Sequence, residues 1–216
     1  PRAPIEKLGL APLTSMFWFG PADAAGQDDY RPAVHDSDGL QMITGAGQTL
    51  WRVLSNPAKL QISAFVDDGP RGFGLIQRPR SFADYQDAEA NYESRPSAWI
   101  RPLGDWGKGS VALIEIPVDS EFHDNIVSYW QPAAPLEPGN RTDFAYTLAF
   151  GEQVLQPTTL AQVVSTRSGV SINNKGARSF FIDFDLAPFE GREDPQVQVN
   201  ATDGRIDHPY VLRLPQ

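Results

Sequence analysis

Cysteine is absent from the 216-residue sequence, which excludes disulfides and thiolate metal sites. The absence suits an oxidising compartment without singling one out. No apolar run approaches the roughly 20 residues that a bilayer-spanning helix needs, so membrane insertion is not expected. Pro1-Arg2-Ala3-Pro4 leads directly into strand-like sequence, and no charged n-region followed by an apolar h-region is visible. Basic residues are outnumbered, 18 against 27 acidic, for a net charge of −9. Nucleic-acid binding relies on clustered Lys and Arg, so a nucleic-acid partner is not expected. A neutral substrate such as a sugar is compatible with that balance. Internal repeats and low-complexity tracts are also missing.

What is present is the signature of an all-β chain. Hydrophobic residues make up 41%, enough for a packed core, and 18 Gly and 19 Pro are spread along the whole length. Between them lie short runs rich in β-branched and aromatic residues. Strands are expected over 50–54, 60–65, 72–77, 111–116, 125–130, 143–150 and 179–184, with weaker strand character at 183–186, 196–199 and 210–214. The nearly continuous apolar run 111–116 reads as a central strand, and 144–150 alternates with aromatics on one face. Helix is scarce. The best candidate is 81–93, where Ser81 can cap and Asp84 follows three residues on, predicting a short surface helix or irregular turn. Segment 131–140, with four prolines or glycines, reads as a long hairpin connection within one sheet. Segment 151–157 reads as a domain boundary. Residues 158–216 are few for an independent sandwich, so that piece is expected to be incomplete or dependent on its neighbour.

Two loops concentrate polar chemistry. Tyr30-Arg31-Pro32-Ala33-Val34-His35-Asp36-Ser37-Asp38-Gly39-Leu40 packs a histidine, two aspartates, an arginine and a tyrosine into eleven residues. Asp119-Ser120-Glu121-Phe122-His123-Asp124-Asn125 holds three carboxylates at a strand-to-strand connection. Each is also what an ordinary solvated turn looks like, with Asp36 or Asp38 bonding nearby amides. The aromatics Trp51, Tyr85, Tyr92, Trp99, Trp106, Tyr129 and Trp130 look exposed and would suit sugar stacking, while core packing is the plain reading of each taken singly. Glycosidases place two carboxylates across the scissile bond. Other chemistries fit less well. His35 and His123 each precede an aspartate, but their spacing demands no metal site. No G-x-S-x-G elbow exists, and Gly45-Ala46-Gly47 lacks the strand–turn–helix context of a phosphate loop. No cofactor or metal is expected.

Seven ordered stretches carry a resemblance. They are Lys7-Leu8-Gly9-Leu10-Ala11-Pro12-Leu13-Thr14-Ser15-Met16-Phe17, Tyr30-Arg31-Pro32 with His35-Asp36-Ser37-Asp38-Gly39-Leu40, and Gly72-Phe73-Gly74-Leu75. Then come Arg95-Pro96-Ser97-Ala98-Trp99, Trp106-Gly107-Lys108-Gly109-Ser110, Glu115-Ile116-Pro117 and Asp124-Asn125-Ile126-Val127. The sequence resembles the osmoregulated periplasmic glucan biosynthesis proteins G and D. The resemblance implies a galactose mutarotase-like β-sandwich followed by an immunoglobulin-like β-sandwich, divided here as 1–152 and 153–216. The match starts well inside the first sandwich and the second is expected to be incomplete. Half a sandwich would expose unpaired strand edges, so residues 1–216 alone are expected to fold poorly.

The resemblance further implies a periplasmic protein acting on β-1,2-glucan, some relatives being inverting glucanases. By motif, Asp124 would be the general acid and Asp36 the general base. Glu121, His35 and Asp38 would support the site, and Tyr92, Arg95, Trp99 and Trp106 would meet substrate. The implied partner is the glucan itself, with a homodimer allowed. The alternative is a non-catalytic glucan-binding or scaffold protein of the biosynthetic machinery.

Overall fold

The computed structural model describes residues 2–24, 26–152, 154, 161–185, 197–201 and 203–212. Short β-branched and aromatic runs cut by glycine and proline favour strands. In chain order these are β1 (Leu10–Ser15), β2 (Phe17–Phe19), β3 (Val34–His35), β4 (Gly39–Ile43), β5 (Thr49–Val53), β6 (Gln61–Asp68) and β7 (Gly72–Ile76). After the short helix α1 (Phe82–Tyr85) follow β8 (Ser97–Leu103), β9 (Lys108–Glu115), β10 (Ile126–Pro132), β11 (Ala145–Gly151), β12 (Gln162–Val170) and β13 (Arg178–Asp185). The sheets run β1-β10-β9-β6 and β11-β8-β7-β4-β5, beside a β12-β13 hairpin and a small β2-β3 ribbon. The ladders are antiparallel.

One apolar cluster draws on both larger sheets. Leu13, Val111, Leu113, Ile126 and Trp130 come from the four-stranded sheet, and Leu40, Met42, Phe73, Leu75 and Ile100 from the five-stranded one. Fully burying such a side chain contributes about 1.5–3 kcal/mol, so this shared face dominates the energetics. A second cluster, Met16, Phe19, Ala33, Val34, Tyr85 and Tyr92, underlies the β2-β3 ribbon and α1. Where the apolar 111–116 run suggests a central strand, β9 lies between β10 and β6.

Strands expected at 50–54, 60–65, 72–77, 125–130, 143–150 and 179–184 form with shifts of one to three residues at their ends. β1, β2, β3, β4, β8 and β12 are not among the expected strands. β1 and β8 contain Pro12 and Pro102, and the β1 register slips between Leu10 and Leu13, a place where proline is tolerated. The 81–93 expectation resolves into one turn of α-helix, α1, and a separate 3-10 turn over Tyr92–Ser94 at its end. Ser81 Oγ accepts from Ala83 N at 3.2 Å and Asp84 accepts from Ser81 N at 3.0 Å, the reciprocal cap that the spacing predicts. No strand forms at 197–199 or 210–212, while residues 186, 196 and 213–214 lie outside the described residues, as does most of the expected boundary at 151–157.

Segment 131–140 corrects the hairpin expectation. β10 and β11 lie in different sheets, because both edges of β10 are occupied by β1 and β9 and leave no ladder for β11 to join. The connection therefore crosses from one sheet to the other, and Leu136 exchanges two 3.0 Å backbone hydrogen bonds with Ile5 on the way.

The exposed-aromatic expectation is also corrected. Tyr85, Tyr92, Trp99, Trp106 and Trp130 are buried, because a two-sheet core needs large apolar side chains more than the surface does. Trp99 lies flat over β7: a Cβ at Gly72 or Gly74 would meet its ring at 2.4 or 2.8 Å. Trp51 is half-buried with the Arg78 guanidinium 4.0 Å over its ring.

Candidate active site

Three connections converge over the second apolar cluster: 29–38, 86–95 and 116–125. Each is polar because, apart from the two residues of β3, its backbone joins no ladder and must find other partners. The centre of the arrangement is Arg31. Its guanidinium pairs with Asp29 at 2.9 Å, Asp87 at 2.8 Å and Glu121 at 2.6 Å, one carboxylate from each connection. A planar fork with five donors can serve three acceptors at once. The Arg31 hydrogen bonds hold Asp29 below the usual carboxylate range. Asp87 is also lowered, chiefly by the Ala90 backbone amide and then by Arg31.

Asp36 follows β3, and its amide donates to Met16 O at 2.9 Å. Its carboxyl lies 3.4 Å from Arg95 Nε. Burial pushes this carboxyl up, Arg95 pulls it back, and the negative charges of Asp124 and Glu121 push it up again. The first two causes oppose each other, and the net direction is upward. Asp124 is exposed, between exposed His123 and buried Asn125. Tyr92 is buried beside Glu121, and burial followed by the Glu121 charge raises its phenol. Arg95 also covers the Tyr92 ring at 5.7 Å. Thus Asp36, Glu121, Asp124, Tyr92 and Arg95 are brought together from segments up to 88 residues apart, 124 less 36.

His35 stands behind this group and is buried. Gln77 Nε2 donates to the carbonyls of His35 at 3.0 Å and Tyr92 at 3.1 Å. Those two bonds orient the amide, so Gln77 Oε1 accepts at 2.8 Å from His35 Nδ1–H. Burial lowers the His35 pKa, and the neutral ring stacks on Phe17 at 5.4 Å. Asp38 is engaged by Arg78, with Nε at 2.6 Å and the backbone amide at 3.1 Å. It ties the start of β4 to the end of β7.

Trp99 and Trp106 do not join the group. Trp106 precedes Lys108, at the far end of β9 from the site, and an eight-residue strand spans about 25 Å. It packs against Trp130, Phe144 and Tyr146, and its indole N–H donates to Ala145 O at 3.2 Å. The Trp99 ring is committed to Gly72 and Gly74 of β7. Among the described residues no cluster of His, Asp and Glu is arranged to hold a metal.

Asp29, Asp87 and Gln77 carry no motif, and Arg31 and Asn125 stand in motifs that assign them no role. For Arg31 a signal exists, since an arginine inside a carboxylate-rich loop needs partners when buried. A lone Gln or Asn at a strand end carries no such mark.

The arrangement puts an ionisable pair, Asp36 and Asp124, within electrostatic reach of one another, with a third carboxylate, Glu121, held by Arg31. Carboxyl groups so placed can exchange protons with a polar ligand that reaches them.

Comparison with known proteins places the chain in a family. Residues 1–216 match the family model described as Periplasmic glucan biosynthesis protein, MdoG. The chain is 47% identical over 215 residues to Glucans biosynthesis protein G of a Shewanella species (strain ANA-3), covering 99% of this chain and 39% of that protein. It is 47% identical over 216 residues to Glucans biosynthesis protein G of Vibrio cholerae serotype O1 (Classical Ogawa 395), covering 99% and 39%. Against Glucans biosynthesis protein G 1 of Shewanella oneidensis it is 47% identical over 215 residues, covering 99% and 40%. The chain spans about two fifths of the length of the curated relatives it matches.

Proposed function

The chain belongs to the family of periplasmic glucan biosynthesis proteins, and we propose that it carries the acid–base pair of an inverting β-1,2-glucan hydrolase, with Asp124 as general acid and Asp36 as general base. The observation that carries the reading is the convergence of Asp36 from one loop with Glu121 and Asp124 from another, with Asp36 feeling the charge of both others. The β-1,2 linkage rests on the resemblance of the seven motifs.

In this reading Asp124 protonates the glycosidic oxygen as the C1–O bond breaks. Asp36 takes a proton from a water that attacks C1 from the opposite face, which inverts the configuration. An exposed carboxyl can reach a bound polymer, and Asp124 is the exposed member. A carboxyl whose pKa is raised is a stronger base when ionised, which suits Asp36. Arg95, 3.4 Å away, favours its charged form. Glu121, paired with Arg31, contributes negative charge without being free to move. Tyr92 and Arg95 border the pair and would contact the glucan. The surrounding domain would be the galactose mutarotase-like sandwich, 1–152, with 153–216 contributing part of an immunoglobulin-like one.

The test is release of reducing ends from linear β-1,2-glucan by the full-length protein. Asp124→Asn and Asp36→Asn are each expected to abolish turnover while leaving glucan binding in place. Full activity in either variant removes that residue from its role, and binding without turnover by the unmodified protein would mean a glucan-holding scaffold.

A further inference from the structure

Asn125 is the residue after the proposed acid, and its side chain is 1% exposed. Its amide is fully engaged. Oδ1 accepts from Phe17 N at 2.8 Å, and Nδ2 donates to Phe17 O at 2.9 Å and Ile116 O at 3.0 Å. Ile116 N in turn donates to the Asn125 carbonyl at 2.9 Å. The side chain thus behaves as a strand backbone would, closing a gap where β1 ends and β2 begins.

The other side of the same junction holds Asp36. Its amide donates to Met16 O at 2.9 Å. Met16 C=O and Phe17 N–H belong to one peptide group, which is planar and rigid. That single peptide accepts from Asp36 on one side and donates to Asn125 on the other. Phe17 also pairs with His35 across the β2-β3 ribbon, and its ring stacks on the His35 ring at an interplanar angle of 13°. Met16, Phe17, His35 and Asn125, which link the two loops, are all buried.

We propose that Asn125 is a positioning residue that sets the separation of Asp36 and Asp124 through the Met16–Phe17 peptide. The catalytic consequence rests on the hydrolase reading above; the geometric statement does not. Separation matters because inverting glycosidases hold their carboxyl groups about 6.5–9.5 Å apart, to leave room for water, and retaining ones about 5–5.5 Å apart. A misplacement of about 1 Å can lower a rate by about 10²-fold.

The experiment uses the full-length protein with Asn125→Ser and Asn125→Asp, and Ser128→Ala as a control. Ser128 lies on β10, three residues beyond Asn125, is buried, and donates to Ala112 O at 2.9 Å, so its loss weakens β10 without touching the Asn125 amide's contacts. Asn125→Ser removes both amide donors. Asn125→Asp keeps the acceptor for Phe17 N–H but sets a carboxylate against two carbonyls, and gives a second chance of a folded variant. Crystal structures are expected to show the Asp36 and Asp124 carboxyl groups displaced relative to one another in the Asn125 variants and unmoved in Ser128→Ala. kcat on linear β-1,2-glucan is expected to fall about 10²-fold with KM within about threefold, while Ser128→Ala keeps its kcat. An unchanged carboxyl separation in either folded Asn125 variant overturns the inference, as does an equal kcat loss in Ser128→Ala. If the unmodified protein hydrolyses no glucan, the hydrolase reading fails and the crystallographic separation still decides whether Asn125 positions the pair.

Discussion

Arg31 and Glu121 approach to 2.6 Å across 90 residues of chain, 121 less 31, and the same guanidinium carries Asp29 and Asp87. Three carboxylates around one cation leave a net negative site, and their mutual repulsion is contained only while the guanidinium is present. Side-chain exposure of 9% for Arg31 and 20% for Glu121 means that water screens the pair weakly.

Removing that cation is expected to be costly. Arg31→Ala should destabilise the protein by about 3–5 kcal/mol, the usual penalty for stranding buried partners of a broken ion pair. Arg31→Lys should recover only part, because an ammonium cannot present a planar fork to three acceptors. Denaturant midpoints at constant m-value measure both. A midpoint unchanged in Arg31→Ala would show that the cluster contributes nothing to the fold.

The pH dependence of hydrolysis reports on Asp36. As the proposed base it must be ionised, so it governs the acid limb of kcat/KM. Arg95 pulls its pKa down. Arg95→Gln should therefore move the acid limb to higher pH, and Glu121→Gln should move it to lower pH. Profiles that stay in place in both variants would detach Asp36 from that limb.

Stability should fall in mild acid because of His35. Its folded-state pKa is lowered by burial, so the unfolded chain binds the proton more readily than the folded one. Below the unfolded value of about 6.5, each step down in pH then favours unfolding. Melting temperatures between pH 8 and pH 5 should decline, and the decline between about pH 6.5 and 5 should flatten in His35→Gln. An equal slope in that variant would assign the effect elsewhere.

Trp106 separates packing from sugar stacking. It is buried against Trp130, Phe144 and Tyr146 at the end of β9 opposite the carboxylates. Trp106→Ala should cost about 3–5 kcal/mol of stability and leave KM for glucan unchanged at temperatures where the variant stays folded. A selective rise in KM, with the melting temperature preserved, would return the ring to the substrate surface.

Much of the strand order was legible along the chain, and the reasons differ by element. β9 announced itself because a strand between two neighbours, with one face in the core, tolerates a nearly unbroken apolar run. α1 was legible because a reciprocal cap is a contact between Ser81 and Asp84, three residues apart. β1 and β8 were obscured by Pro12 and Pro102, whose usual meaning is a break. The 131–140 connection was misread because loop composition says nothing about which edges of β10 are free. The site was half legible: Asp36, Asp124 and Arg95 stood in motifs with expected roles, Glu121 and Tyr92 lay close to them, and Arg31 and Asn125 stood in motifs too but took on a role only with their partners.

By itself the sequence determined an all-β chain of the periplasmic glucan biosynthesis family and the two acidic loops that hold Asp36 and Asp124. Such features depend on residue types and on neighbours a few positions away, through strand alternation, turn chemistry and motif order. Tertiary structure decided which aromatics became core, which loops met at Arg31, and how one peptide at Met16–Phe17 joined Asp36 to Asn125. Those contacts span up to 108 residues of chain. They exist because antiparallel registers of β1, β9 and β10 bring distant segments to the same end of the molecule, and strand register is a property of the assembled sheet, where edges, faces and core volume are set together.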